Sequence, residues 1–286
     1  MEVLPFFIWV GSGLSVISTN MQQGICKLKP DRRDYHFLPS FGVTSYDLQG
    51  LPSTFSIYDG RVIPNQMGFD TRFNPPIPPM PFGCTGESGT FACGLEDSKV
   101  YNPRYLYKNT APYDDGGRDM RVMLAALKSG MLMDANGNIG PKRLAYFNVY
   151  GSGPIDDFDA ARLAIWLGQV EKRAALAATW WYPEFSATIA DGFVPAPASY
   201  DMSRATLHSW IATGWKDDNY LEIIWWNSVK GYMHRDIYNK LMKQPWTGCF
   251  TVTKEPANAP IPVGMQAVVD HMWYALISFI RKIYTK

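Results

Sequence analysis

Apolar and polar positions follow two rhythms along this chain, and the change between them falls near Ala174. Before it, residues 117–128 place Met120, Met123, Leu124 and Leu127 at helical spacing. Lys128 stands at the negative end of that helix and Gly130 supplies a stop signal. Residues 155–168 predict a second helix, capped by an aspartate and ended by Gly168. Beyond it, residues 208–215, 221–226 and 236–241 are rich in β-branched and aromatic side chains. They predict strands separated by Lys216-Asp217-Asp218-Asn219 and by Lys230-Gly231. Helices first and strands afterwards predict an α+β fold with a cleft between two subdomains.

Three stretches depart from these rhythms. Five prolines between positions 75 and 81 predict an extended run, of polyproline II character. The apolar N-terminal stretch begins Met1-Glu2 without the Lys or Arg of a signal peptide, and Pro5, Gly11 and Gly13 interrupt it. We read it as a segment packed on its own fold or a partner, with a degenerate secretory signal as the second reading. At the other end, Met265, Val268, Val269, Met272, Trp273, Leu276, Ile277, Ile280 and Ile283 repeat at helical spacing after a proline-containing linker. Asp270, His271, Ser278 and Arg281 make this helix a poor membrane span. Docking on its own domain is the first reading, and a second subunit, a protein partner or a membrane surface stays open.

At 286 residues and 47% hydrophobic, the chain is long enough to bury a large core. A formal net charge of +1 gives no electrostatic footprint for nucleic acid. Four cysteines (Cys26, Cys84, Cys93 and Cys249) and four histidines lack metal-ligand spacing, so no metal is expected and at most one disulfide. Asp134-Ala135-Asn136-Gly137-Asn138 has alternating oxygen side chains, but Ile139 and Ala145 stand where a calcium loop needs glycine and glutamate. It predicts a turn.

The candidate chemistry centres on Gly83-Cys84-Thr85-Gly86-Glu87-Ser88-Gly89-Thr90-Phe91-Ala92. A cysteine that opens a helix faces the positive end of the dipole, which favours the thiolate. An inert packed thiol is the alternative for any single cysteine. What raises Cys84 is its company: Gln66 upstream, His208 opening a strand and Asn227 closing another, the order of a papain-type nucleophile, base and orienting amide. Gly86, Gly89 and Gly94 each weaken the helix by about 1 kcal/mol, so tertiary packing must hold it.

With these residues the chain resembles the papain-like cysteine peptidases from about Pro30 to about Lys243. Leu51-Pro52-Ser53-Thr54-Phe55-Ser56 is similar to the family's start of the catalytic domain, and Pro64-Asn65-Gln66-Met67-Gly68 to its glutamine motif. Asn102-Pro103-Arg104-Tyr105-Leu106-Tyr107 and Gly116-Gly117 with residues 124–130 match two of its helices. Residues 174–185 match its first strand of the β-rich half, residues 206–215 its histidine strand and Trp226-Asn227-Ser228 its asparagine motif. Pro30-Asp31-Arg32-Arg33-Asp34-Tyr35 is similar to the mature start of bacterial and phage members, and a pro-segment is expected to be reduced or absent.

The resemblance implies a papain-like fold with a helical N-terminal half and a β-rich C-terminal half. It divides the chain into an extension over 1–29, a catalytic domain over 30–256 and a linker with a helix over 257–286. It implies a cysteine endopeptidase with Cys84 as nucleophile, His208 as base, Asn227 fixing the ring and Gln66 with the Cys84 N–H at the oxyanion. A thiolate–imidazolium pair, a peptide or protein substrate and no cofactor follow, with a cytoplasmic or virion-associated location favoured over a secreted one. Two features depart from the family. Gln66 and Cys84 are 18 positions apart, with the proline-rich stretch between them, and Val229 stands where the family has a tryptophan that shields the histidine–asparagine pair. These departures keep a second reading open: a weakly active or inactive papain-fold module of a larger assembly such as a phage particle.

Overall fold

The computed structural model describes residues 35–110 and 117–254. Expectations for the N-terminal extension, Cys26, Gly116, the linker and residues 265–284 lie outside the described residues. In chain order the elements are β1 (Tyr35–His36), α1 (Phe37–Ser40), β2 (Phe55–Ser56), α2 (Cys84–Asp97), α3 (Pro103–Lys108), α4 (Met120–Lys128), β3 (Ala145–Asn148) and α5 (Asp157–Leu167). There follow β4 (Ala175–Trp181), β5 (Gly192–Phe193), β6 (Thr206–Lys216), β7 (Tyr220–Trp225), β8 (Val229–His234), α6 (Arg235–Met242) and β9 (Gly248–Thr253).

One sheet runs β1-β3-β9-β4-β6-β7-β8-β5, with β2 paired to β6. The pairs β1–β3 and β5–β8 are parallel and the others antiparallel. The fold is α+β, as the sequence predicts, but the halves are less segregated than expected. The short strands β1, β2 and β3 come from the N-terminal half and extend the sheet made by the C-terminal half. Trp210, Trp215, Trp225 and Trp226 are fully buried and anchor its core.

The caps explain where the helices begin. Asp119 accepts from the Arg121 N–H and starts α4 three residues later than the periodicity suggests. Asn102 caps α3 in the same way, and Asp156 caps α5, which Gly168 closes. The glycines of α2 are places of close approach. A Cβ at Gly86 would lie 2.8 Å from the Pro103 carbonyl oxygen, and one at Gly89 would lie 2.6 Å from Met123 Sδ. Their weak propensity is the condition for α3 and α4 to pack against the buried helix.

One expected strand is a helix. Residues 236–241 lie in α6, where Ile237, Tyr238 and Leu241 turn one apolar face to the core and His234 Nδ1 accepts from the Asp236 N–H at 3.2 Å. Their spacing is helical, and the β-branched and aromatic content misleads. The strand that follows β7 is instead β8, over Val229–His234.

Candidate active site

Cys84 is the first residue of α2, fully buried, with Gly83 at the N-cap. Helix N-termini carry the positive end of the dipole, so the position favours negative charge. His208 is the third residue of β6, 4% exposed, opposite Thr179 of β4. Asn227 is half-buried in the turn between β7 and β8, where Ser228 takes a left-handed backbone with φ 60°. Gln66 is 4% exposed and lies in the segment that crosses this turn.

A continuous chain of hydrogen bonds joins the neighbourhoods of all four. Ser88, one helical turn beyond Cys84, meets the hydroxyl of Ser209 at 2.6 Å, and Ser209 follows His208. The Ser209 carbonyl accepts from Trp226 Nε1 at 2.6 Å, and Trp226 precedes Asn227. The Trp226 carbonyl in turn accepts from the Gln66 N–H at 2.8 Å, beside an antiparallel bridge between Asn65 and Asn227. Helix, base strand, asparagine turn and glutamine segment are thereby held as one unit.

The chain turns over residues 71–75, and the proline-rich stretch runs back antiparallel to the segment that carries Gln66, with a bridge between Asp70 and Ile77 and the Met80 N–H donating to the Gln66 carbonyl at 2.7 Å. Phe73, Ile77 and Met80 form a small apolar cluster of their own, against Val100 and Tyr107. Gln66 Nε2 then donates to the Pro81 carbonyl at 3.2 Å, three residues ahead of Cys84.

The same loop is pinned to the first turn of α2. Arg72 reaches Asp70 at 2.5 Å and Glu87 at 3.1 Å, and all three are buried. One guanidinium faces two carboxylates. Burial, with the Asp70 charge adding to it, outweighs the Arg72 contact and pushes the Glu87 carboxyl up to about 8. Glu87 therefore keeps its proton at neutral pH.

Burial also lowers the His208 imidazole to about 3. The ring is therefore held neutral, against the standing thiolate–imidazolium pair expected from the sequence, and so low a basicity opposes proton uptake from a thiol until the site's surroundings change. Nδ1 of His208 is buried and makes no hydrogen bond, so the structure does not join it to Cys84 or Asn227 through that atom. Hydrogen bonds of an unliganded catalytic site are often long and tighten with substrate. An aromatic ring that packs on the imidazole is Trp181 of β4, 5.0 Å from it, centroid to centroid. No motif marks Trp181, and the pairing of β4 with β6 was the signal needed to find it. Cys93 and Cys249 are buried thiols away from this cluster, each pushed up to about 12 by burial.

No family model matches the sequence, and no curated protein matches it. Solved structures do. The chain is similar to xylellain, a cysteine protease from Xylella fastidiosa, with a TM-score of 0.57 and 14% identity over 81% of this chain and 96% of that one. It is similar to proCathepsin B S9 from Trypanosoma congolense, at TM-score 0.53 and 11% identity over 82% of this chain and 86% of that one. A cysteine protease of Carica candamarcensis, solved in complex with E-64, matches at TM-score 0.50 and 13% identity over 72% of this chain and the whole of that one. The order of elements, the mixed sheet and these likenesses together give the chain the fold of the papain-like cysteine peptidases.

Proposed function

We propose that the chain is a cysteine peptidase that hydrolyses peptide bonds through Cys84, His208 and Asn227, with Gln66 at the oxyanion. The observation that carries this reading is the hydrogen-bonded path Ser88–Ser209–Trp226–Gln66, which runs past all four residues. The path ties together the segments that carry four residues of the right types, scattered over more than half of the sequence, and this supports the reading.

In this reading neutral His208 accepts the Cys84 thiol proton while Sγ attacks the carbonyl carbon of the substrate. The carbonyl electrons move to oxygen, which meets the Cys84 N–H and the second N–H of Gln66 Nε2, the first being donated to Pro81. The imidazolium gives its proton to the leaving amine as the C–N bond breaks, and a thioester remains. Water, deprotonated by His208, then releases the acid and restores the thiol. Asn227 accepts from the imidazole N–H and fixes the ring.

A second reading, a papain-fold module kept for binding or assembly, is favoured by the absence of a hydrogen bond at His208 Nδ1 and by Val229. Titration with a thiol-directed epoxide, mapped by mass spectrometry and paired with cleavage of a peptide library, separates the two. The peptidase labels one equivalent at Cys84 and cleaves. A chain that neither labels at Cys84 nor cleaves any peptide is not a peptidase.

A further inference from the structure

Val229 leaves the base without the tryptophan that its position in the sequence leads one to expect. The structure brings an indole to the imidazole from a different strand. In the pairing of β4 with β6, Thr179 lies opposite His208 and Trp181 opposite Thr206. Residues two apart on a strand share a face, so Trp181 and His208 are diagonal neighbours on the same side of the sheet, within reach of a large ring. Their planes meet at 62°, edge to face, which is a preferred geometry for aromatic pairs.

Trp181 is itself held firmly. Its ring packs on Trp225 at 5.2 Å and on Phe185 at 5.2 Å, its Nε1 donates to Ser186 Oγ at 3.3 Å, and the residue is 3% exposed. Val229 pairs with Trp225 across β7 and β8. The position that lacks the tryptophan therefore lies across from a ring that already backs Trp181. We propose that Trp181 is a positioning residue for His208, fixing the plane of the imidazole and keeping water from it in the role left open by Val229.

This rests on the peptidase reading for its purpose, but its physical content is separate. Burial is the only cause behind the lowering of His208. Glu184, three residues past Trp181, is taken up by Arg204 at 2.7 Å and by the Ala198 N–H at 3.0 Å. The packed rings around the imidazole are then what sets its titration. A ring edge can orient an imidazole without offering a competing hydrogen bond, which leaves both ring nitrogens for proton transfer and for the asparagine.

The test compares the full-length chain with W181F and W181L. The readouts are the His208 ring titration by NMR, the pH profile of Cys84 alkylation by iodoacetamide, and kcat and KM separately. W181F is expected to keep the low His208 midpoint and most of kcat. W181L, of similar apolarity but without a ring, is expected to raise the midpoint by at least about one pH unit toward the ordinary value, since water regains the imidazole. It should also shift the alkylation profile and lower kcat more than it changes KM. If W181L does not fold, F185L, which loosens Trp181 without touching the sheet pairing, is expected to move the midpoint in the same direction by less. A folded W181L or F185L with an unchanged midpoint and alkylation profile overturns the proposal, even if the parent chain cleaves peptides. A raised midpoint in a chain that cleaves nothing upholds the placement of Trp181 and removes the peptidase reading instead.

Discussion

The hydroxyls of Ser88 and Ser209 meet at 2.6 Å inside the interface between α2 and β6, and both residues are fully buried. Ser88 also donates to the Thr85 carbonyl at 3.1 Å. With its one proton used there, Ser88 accepts from Ser209, and both hydroxyls are satisfied. This contact sets the height of α2 against β6.

The two serines are therefore unequal. Ser88→Ala leaves the Ser209 hydroxyl buried without a partner and is expected to destabilise the fold by about 1–3 kcal/mol. Ser209→Ala leaves Ser88 bonded to Thr85 and is expected to cost about 1 kcal/mol. The double variant should cost less than the sum, as expected for residues in direct contact. Urea unfolding of the four chains measures the cycle, and additive costs would show that the hydroxyls do not interact.

Cys84→Ala and His208→Ala are expected to abolish peptide cleavage, because nucleophile and base act as a unit. Asn227→Ala should cost less, since Asn227 only orients the ring. Gln66→Ala should lower kcat by about a hundredfold, the effect of losing one oxyanion donor. A dead Cys84→Ala beside an unchanged Gln66→Ala would keep the peptidase and remove Gln66 from the oxyanion.

Thiol chemistry gives a separate check. Burial holds Cys93 and Cys249 protonated far above neutral pH, so neither is expected to alkylate in the folded chain at pH 7. Cys84, at a helix N-terminus and served by His208, is expected to react first. Mass spectrometry of peptides after brief iodoacetamide treatment reads this directly, and equal labelling of Cys84, Cys93 and Cys249 would contradict it.

Glu87 predicts a pH dependence of stability. Its folded carboxyl, raised to about 8, keeps a proton that the unfolded chain releases near the ordinary value of 4.5. The stabilisation is full below 4.5 and is lost as pH rises through about 8, because the unfolded state binds fewer protons in that window. Glu87→Gln, which keeps the shape without the charge, should flatten this slope and melt higher than the parent at pH 8. Thermal melts at intervals from pH 5 to pH 9 test it, and parallel curves for parent and variant would show that Glu87 is ionised throughout.

What the sequence discloses depends on how local each feature is. The start of α2 at Cys84, the cap of α5 and the long runs of β6 and β7 rest on near neighbours and were legible. The strands β1, β2 and β5 are two residues each, too short to carry a period, and only their partners define them. Residues 236–241 suit a strand by composition, through Ile237 and Tyr238, while Leu241 completes the helical face that the core selects. Trp181 was invisible for a different reason: its relation to His208 exists only in the register of two strands. The return of the proline-rich stretch to Gln66 likewise needs a hydrogen bond between residues that no spacing rule connects.

That return has a consequence for how this fold tolerates change. The loop is tied at its feet by Met80 to Gln66 and at its flank by Arg72 to Glu87, so its tip near Asn74 and Pro76 bears on neither anchor. Extra chain added at the tip would lengthen the sequence between glutamine and cysteine while leaving their separation in space alone. The distance counted along the polypeptide is here a poor ruler for the distance across which the chemistry works, and the knot of contacts at the loop's base is what uncouples the two.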